Sequence, residues 1–165
     1  MILKNLDKKF LINSFLVLLI FLLDRISKIY VIYLDKKFLG SEIFSSKYLN
    51  ISLSWNEGIA FGLLSFNKEN FYKSLKILII LIIFFIFVMI LKSSGLQKLA
   101  LVMILGGALG NVFDRILYKS VPDFIDFHIG GFHWFIFNIA DIFITIGVIF
   151  MVIFEIFENK EKSEL

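Results

Sequence analysis

The run LKILIILIIFFIFVMIL, inside Ser74 to Leu91, limits what this chain can become more than any other stretch. It is nearly uninterrupted and apolar, and a bilayer core about 30 Å thick asks for roughly 20 such residues in a helix. Three further stretches have similar length and character: Phe10 to Leu34, Lys98 to Leu117, and Asn138 to about Phe157. Four apolar runs in a chain that is 59% hydrophobic, with a single Pro and no Cys, predict a polytopic membrane protein rather than a soluble domain. The expected fold class is all-α: one domain over residues 1–165, with four transmembrane helices (about 10–34, 74–91, 98–117 and 138–157).

The segment from Asp35 to about Lys73 differs in pattern. KYLNISLSWN partly alternates and is rich in Ser, Tyr and Ile, which predicts short strands. In NEGIAFG, Asn56 and Gly58 supply turn chemistry ahead of a small apolar patch. A small β-rich sheet lying on the membrane face is the expectation for 35–73. Tyr118 to Phe137 reads as a crossing on the same face, with Tyr118 and Trp134 suited to an interfacial belt.

Four spans place both termini on one side. Lys4, Lys8 and Lys9, the Lys92/Lys98 turn and the Lys160/Lys162 tail then all face the cytoplasm, as the positive-inside tendency prefers. The basic N-terminus precedes an apolar run too long for a signal peptide, with no small-residue cleavage site, so it reads as a retained first span. The net charge of +3 arises mainly from these terminal and loop lysines, which set orientation rather than bind nucleic acid. The absence of Cys excludes disulfides, thiol nucleophiles and Cys-based metal sites.

Ionisable residues at membrane depth are costly and are functional candidates by default. Asp24 and Lys28 lie four apart in the first run, where they share a helix face and read as a structural ion pair. Asn111, Asp114 and Arg115 share a face of the third run, with Arg115 placed to snorkel to a headgroup or to tether an acid. Gly106 and Gly110 have the small-xxx-small spacing of a close helix contact, which puts this helix at the centre of the bundle. Asp123 and Asp141 flank the connection into the fourth run. Two acids held close together cannot both ionise cheaply, so one can act as base on a water while the other keeps a proton. Spacing alone leaves Asp126 as good a partner as Asp123. The competing structural reading is a turn at Pro122-Asp123, with Asn138 as a helix N-cap and Asp141 its reciprocal partner. Ser27 beside Lys28 points about 100° away from it on a helix, which disfavours a Ser-Lys dyad. His128 and His133 with Asp126 match no metal-motif spacing and read as a solvated loop.

Taken in order, these motifs resemble the lipoprotein signal peptidases (signal peptidase II), bacterial inner-membrane aspartyl proteases. The matching stretches are Asp24-Arg-Ile-Ser-Lys28, Asn56-Glu-Gly-Ile-Ala-Phe-Gly62, Gly106-Gly-Ala-Leu-Gly-Asn-Val-Phe-Asp-Arg115, Val121-Pro-Asp-Phe124 and Phe137-Asn-Ile-Ala-Asp141. The resemblance implies catalytic roles for Asp123 and Asp141, leaving Asp126 outside the dyad. It implies a substrate pocket drawing on Asn56, Gly58, Asn111, Arg115, Asn138 and Ala140, with Asp24, Lys28 and Asp114 as structural polar residues. The implied substrates are diacylglyceryl-modified prolipoproteins, cleaved on the N-terminal side of the lipidated Cys near the extracytoplasmic face. The implied enzyme needs no metal or cofactor, is sensitive to globomycin, meets membrane lipids but no nucleic acid, and is expected to be a monomer. Arg25 stands where the family commonly has Gln, Pro122 replaces an aliphatic residue, and Ile142-Phe143 replace smaller ones; none of these removes a reacting group. A small proton-coupled transporter is the main rival reading, but such proteins favour internal repeats and midplane sites, whereas these polar residues gather at one surface. A non-catalytic assembly factor is the third.

Overall fold

A computed structural model of the chain describes residues 8–58 and 68–163, with side chains over 8–58 and 73–157. Among the described residues there are four helices and four strands, in the order α1 (Lys8–Lys37), β1 (Phe44–Ser45), β2 (Leu49–Asn56), α2 (Lys68–Lys92), α3 (Gly95–Leu117), β3 (Val121–Ile129), β4 (Phe132–Phe137) and α4 (Ile139–Ser163). Positions 59–62 of the NEGIAFG motif and Lys4 lie outside the described residues.

The helices form where the apolar runs predict them, each a few residues longer. α1 has 30 residues, a length of about 45 Å, and ends on Lys36 and Lys37, cations placed at the negative end of the helix dipole. Its exit is a Schellman turn: the Gly40 amide donates to the Asp35 carbonyl at 2.9 Å and the Leu39 amide to that of Lys36 at 3.4 Å. Leu39 takes the left-handed position with φ +56°.

α3 is the central helix, packed against α1, α2 and α4. Its glycines explain why. A Cβ at Gly106 would lie 2.9 Å from the Ile20 side chain on α1, and one at Gly107 would lie 2.5 Å from the Ala140 carbonyl oxygen on α4. With no side chain, both neighbours come into backbone contact, the small-residue packing expected where lipid removes any hydrophobic drive between helices. The apolar core of Ile86, Ile90, Leu101, Val102 and Leu105 fills the α2–α3 seam.

The outward faces stay apolar. Ile77, Phe84 and Phe85 on α2, Ile26 on α1 and Ile156 on α4 are all exposed, a surface stable against lipid and not against water. Among the described residues, three helices are long and apolar enough to cross a membrane: Lys73–Lys92, Gly95–Leu117 and Ile139–Phe157. α1 differs by burying Asp24, Arg25 and Lys28 in its second half.

The strands form one antiparallel sheet in the order β1-β2-β3-β4. The expected strand in KYLNISLSWN is β2. The sheet is larger than the 35–73 segment, because the 118–137 crossing is itself a hairpin. Its signal lies in the sequence: Gly130 and Gly131, with φ +56° and +83°, make the two-residue turn that matches strand twist, flanked by alternating residues. Both long connections, α1 to α2 and α3 to α4, run through this sheet, so it caps one end of the bundle.

Candidate active site

Under the sheet, four charged side chains from two helices neutralise one another. The Lys28 ammonium donates to Asp24 Oδ2 at 2.7 Å, to Asp114 Oδ2 at 2.7 Å and to Asn111 Oδ1 at 3.0 Å. Arg25 pairs with the other oxygen of Asp114 and stacks over the Phe113 ring, its guanidinium carbon 5.0 Å from the centroid. The remaining oxygen of Asp24 accepts the Ala140 amide at 3.0 Å. Two acids and two bases thus balance in a dry place where an isolated charge would be prohibitive. The Asp24–Ala140 bond satisfies one of the orphan amides in the first turn of α4 and fixes that helix start against α1. Asp24, Lys28 and Asp114, the structural polar residues that the resemblance implies, meet here together with Arg25, whose signal in the sequence is its place beside Asp24 in an apolar run.

Asn111 and Asn138 carry this network to the two acids of interest. Asn111 Nδ2 donates to Asp141 Oδ1 at 2.8 Å. Asn138 Nδ2 donates to Asp123 Oδ1 at 2.6 Å and to Asn111 Oδ1 at 3.2 Å. Asn56 Nδ2, at the end of β2, donates to Asp123 Oδ2 at 2.9 Å, and its side-chain Oδ1 accepts the Gly58 amide at 2.8 Å. Gly58 has φ +78°, the left-handed region that favours glycine, while the nearest obstacle to a Cβ is the mobile tip of the Leu75 side chain at 2.9 Å.

Asp123 is buried in β3 and Asp141 half-buried in the first turn of α4. The capping reading also holds: the Asn138 amide donates to Asp141 Oδ2 and the Asp141 amide to Asn138 Oδ1, each at 3.1 Å. One oxygen of Asp141 therefore caps the helix while the other joins Asn111. Burial pushes the Asp123 carboxyl above the ordinary carboxylate range, and the nearby Asp141 charge adds to this. The hydrogen bonds from Asn56 and Asn138 and the more distant Lys28 charge offset only part of it. Arg115 lies within electrostatic reach of Asp123, Asp141 and Asp114, and its guanidinium bonds the Asn111 carbonyl at 3.4 Å.

Asp123 and Asp126, equivalent on spacing, have different surroundings on β3. Residues three apart on β3 point to opposite faces. Asp123 meets Asn56 and Asn138, whereas the Asp126 carboxylate meets His133 Nδ1 at 2.8 Å. The expectation of a solvated loop at 126–133 is corrected: Asp126 is 7% exposed and the three residues sit on a hairpin. Ser27 donates to the Asp24 carbonyl at 2.8 Å, away from Lys28. Beside Asp141 runs a groove of about 620 Å³, lined by Phe127, Phe135, Phe137, Ile142, Ile146 and other mostly apolar residues.

A helical membrane protein with two linked carboxylates beneath a small sheet is the class this geometry defines. Comparison with known proteins narrows it: the family model for signal peptidase (SPase) II matches residues 16–157, and the chain belongs to that family. A lipoprotein signal peptidase of Pelagibacter ubique (strain HTCC1062) is 47% identical, with 94% of each chain covered. Another, from Anaplasma phagocytophilum (strain HZ), is 35% identical over 96% of this chain and 98% of its own. A solved structure of a bacterial membrane enzyme is 31% identical with a TM-score of 0.70, covering 93% of this chain and 92% of that one. The protein is a bacterial membrane protease.

Proposed function

We propose that this chain is a single-domain intramembrane aspartyl endopeptidase that removes signal peptides from diacylglyceryl-modified prolipoproteins, cutting N-terminal to the lipidated Cys. The observation that carries this reading is the bridge from Asp123 through Asn138 and Asn111 to Asp141, which ties two acids distant in sequence into one polar network. That network opens beside an apolar groove suited to acyl chains, whose burial contributes about 0.8 kcal/mol per CH₂.

In this mechanism Asp123, the more buried acid, keeps the shared proton, and Asp141 is the base. Water adds to the scissile carbonyl carbon, giving one proton to Asp141 while Asp123 protonates the carbonyl oxygen. The tetrahedral intermediate collapses as Asp141 returns its proton to the departing amine and Asp123 recovers its own. Arg115 and Asn111 orient the acids, Asn56 and Gly58 shape the strand end that clamps the peptide, and Ala140 lends its amide to the scaffold. No metal or cofactor takes part in the cleavage. α1 is the fourth span, both termini are cytoplasmic, and the site faces outward across the inner membrane. The enzyme acts as a monomer.

Purified protein in detergent should cleave a diacylglyceryl-modified prolipoprotein and be blocked by globomycin. Asp123→Asn and Asp141→Asn should each reduce cleavage by at least about 10³-fold with an unchanged circular dichroism spectrum. Full cleavage by Asp141→Asn would exclude the dyad.

A further inference from the structure

Beyond the proposed active site, β3 continues into a hairpin that carries a second group of chemically capable side chains. Asp126 and His128 lie two apart on β3 and so share a face of the sheet, the one opposite Asp123. His133 on β4 is the direct cross-strand partner of His128. The two imidazoles stack with centroids 5.0 Å apart and planes 23° from parallel.

The hydrogen bonding here is incomplete in a specific way. His133 Nδ1 takes one oxygen of the Asp126 carboxylate, but Asp126 Oδ1 and His128 Nδ1 are left over. Among the described residues these are the two buried side-chain polar atoms without a hydrogen-bond partner, and they fall in the same spot. Buried polar atoms are rarely left unpaired, because they give up water and gain nothing. A protonated His133 paired with Asp126 accounts for one contact and leaves both orphans as they are. A cation held among the three residues satisfies both at once.

The donor set is right for such an ion. One ligand atom from each of Asp126, His128 and His133 lies within 4.8 Å of the other two. Two imidazole nitrogens and a carboxylate suit a borderline-soft first-row ion, with water as fourth ligand, whereas Mg²⁺ and Ca²⁺ prefer oxygen throughout. Ligation at about 2.0–2.1 Å needs donors roughly 3.4 Å apart, so each side chain moves by less than about 1 Å. The Gly130-Gly131 turn holds the cross-strand histidines in register.

We propose that Asp126, His128 and His133 form a binding site for one divalent transition-metal ion, of which zinc is the representative. The ion clips β3 to β4. Because His128 also lines the apolar groove beside Asp141, it stiffens one wall of that groove.

The test is a titration of full-length protein without a histidine tag, stripped with chelator in detergent. Zn²⁺ should bind at one ion per chain and raise the melting temperature, while Mg²⁺ does neither. A Co²⁺ form should show the strong visible absorption of a four-coordinate ion. His133→Gln and Asp126→Asn should each weaken Zn²⁺ binding by about tenfold or more. His133 is half exposed and outside the acid network, so His133→Gln should keep the fold and the cleavage rate of the metal-free protein, and it carries the test alone if Asp126→Asn fails to fold. Absence of Zn²⁺ binding by the unaltered chain, or binding of equal affinity and stoichiometry in His133→Gln, overturns the proposal.

Discussion

Asn138 shows how one side chain serves structure and site together. Its side-chain carbonyl Oδ1 and backbone amide complete a capping box with Asp141, and its side-chain Nδ2 donates to Asp123 and Asn111. The capping reading and the dyad reading of this stretch, rivals on the sequence, are therefore compatible. Asn138→Ala should cost about 1 kcal/mol through the lost cap. It should also slow cleavage on the order of 10²-fold by letting the acids drift, with kcat falling more than KM rises. Steady-state kinetics beside a melting curve separates the two effects. Asp123 carries a pH prediction. Its folded pKa lies above the ordinary 3.8, so the folded protein holds a proton that the unfolded chain has released between those two values. Stability should fall as pH rises through that window. Cleavage should fall on the alkaline side as Asp123 loses its proton, visible as a descending limb in log kcat/KM of the unaltered enzyme. At this scale the sequence made most of the network legible, because polar residues in apolar runs announce themselves. Spacing leaves Asp123 and Asp126 tied; the family resemblance favours Asp123, and the physical difference between them, opposite faces of one strand, is visible only in the fold.

Elements were readable where one periodicity ruled. The helices follow from unbroken apolar runs, and β2 from partial alternation. The β3–β4 hairpin went unread because its aromatic residues resemble an interfacial belt, and the Gly130-Gly131 turn was the sign to weigh instead. Gly106 and Gly110 correctly marked α3 as central, but Gly107 makes the tighter contact with α4. A Cβ at Gly107 would press on the Ala140 carbonyl oxygen, which is backbone and cannot swing aside. A Cβ at Gly110 would lie 2.5 Å from Asp24 Oδ2, a side chain already pinned by Lys28 and the Ala140 amide. Gly107→Ala should thus destabilise the bundle by about 1–3 kcal/mol, read as a lower melting temperature in detergent. Because it pushes the start of α4 away from α3, it should also impair cleavage, although position 107 touches neither acid.

At the scale of the molecule, the buried quartet of Asp24, Arg25, Lys28 and Asp114 ties α1 to α3, and through Ala140 to α4. It also bears on how many helices cross the membrane. On composition three helices qualify, and α1 is the one interrupted by charge. The quartet answers the objection that charge raises, because charges that cancel inside the bundle need not meet lipid, and the outward face of α1 remains apolar. Lys28→Met tests this, leaving two acids to share Arg25, and should destabilise the protein by about 3–5 kcal/mol. The topology itself can be read directly, since the chain has no Cys and each introduced one reports alone. Lys8, Lys47 and Ser94 are exposed, at the start of α1, in the β1–β2 turn and in the α2–α3 turn. With four spans, a membrane-impermeant maleimide added to intact, outer-membrane-permeabilised cells should label Lys47→Cys and spare Lys8→Cys and Ser94→Cys until lysis. Were α1 to lie along the outer surface, Lys8→Cys would label together with Lys47→Cys. The quartet would then have to hold its charge balance at the interface rather than within the bundle, and the case for a buried acid pair beneath the sheet would lose its scaffold.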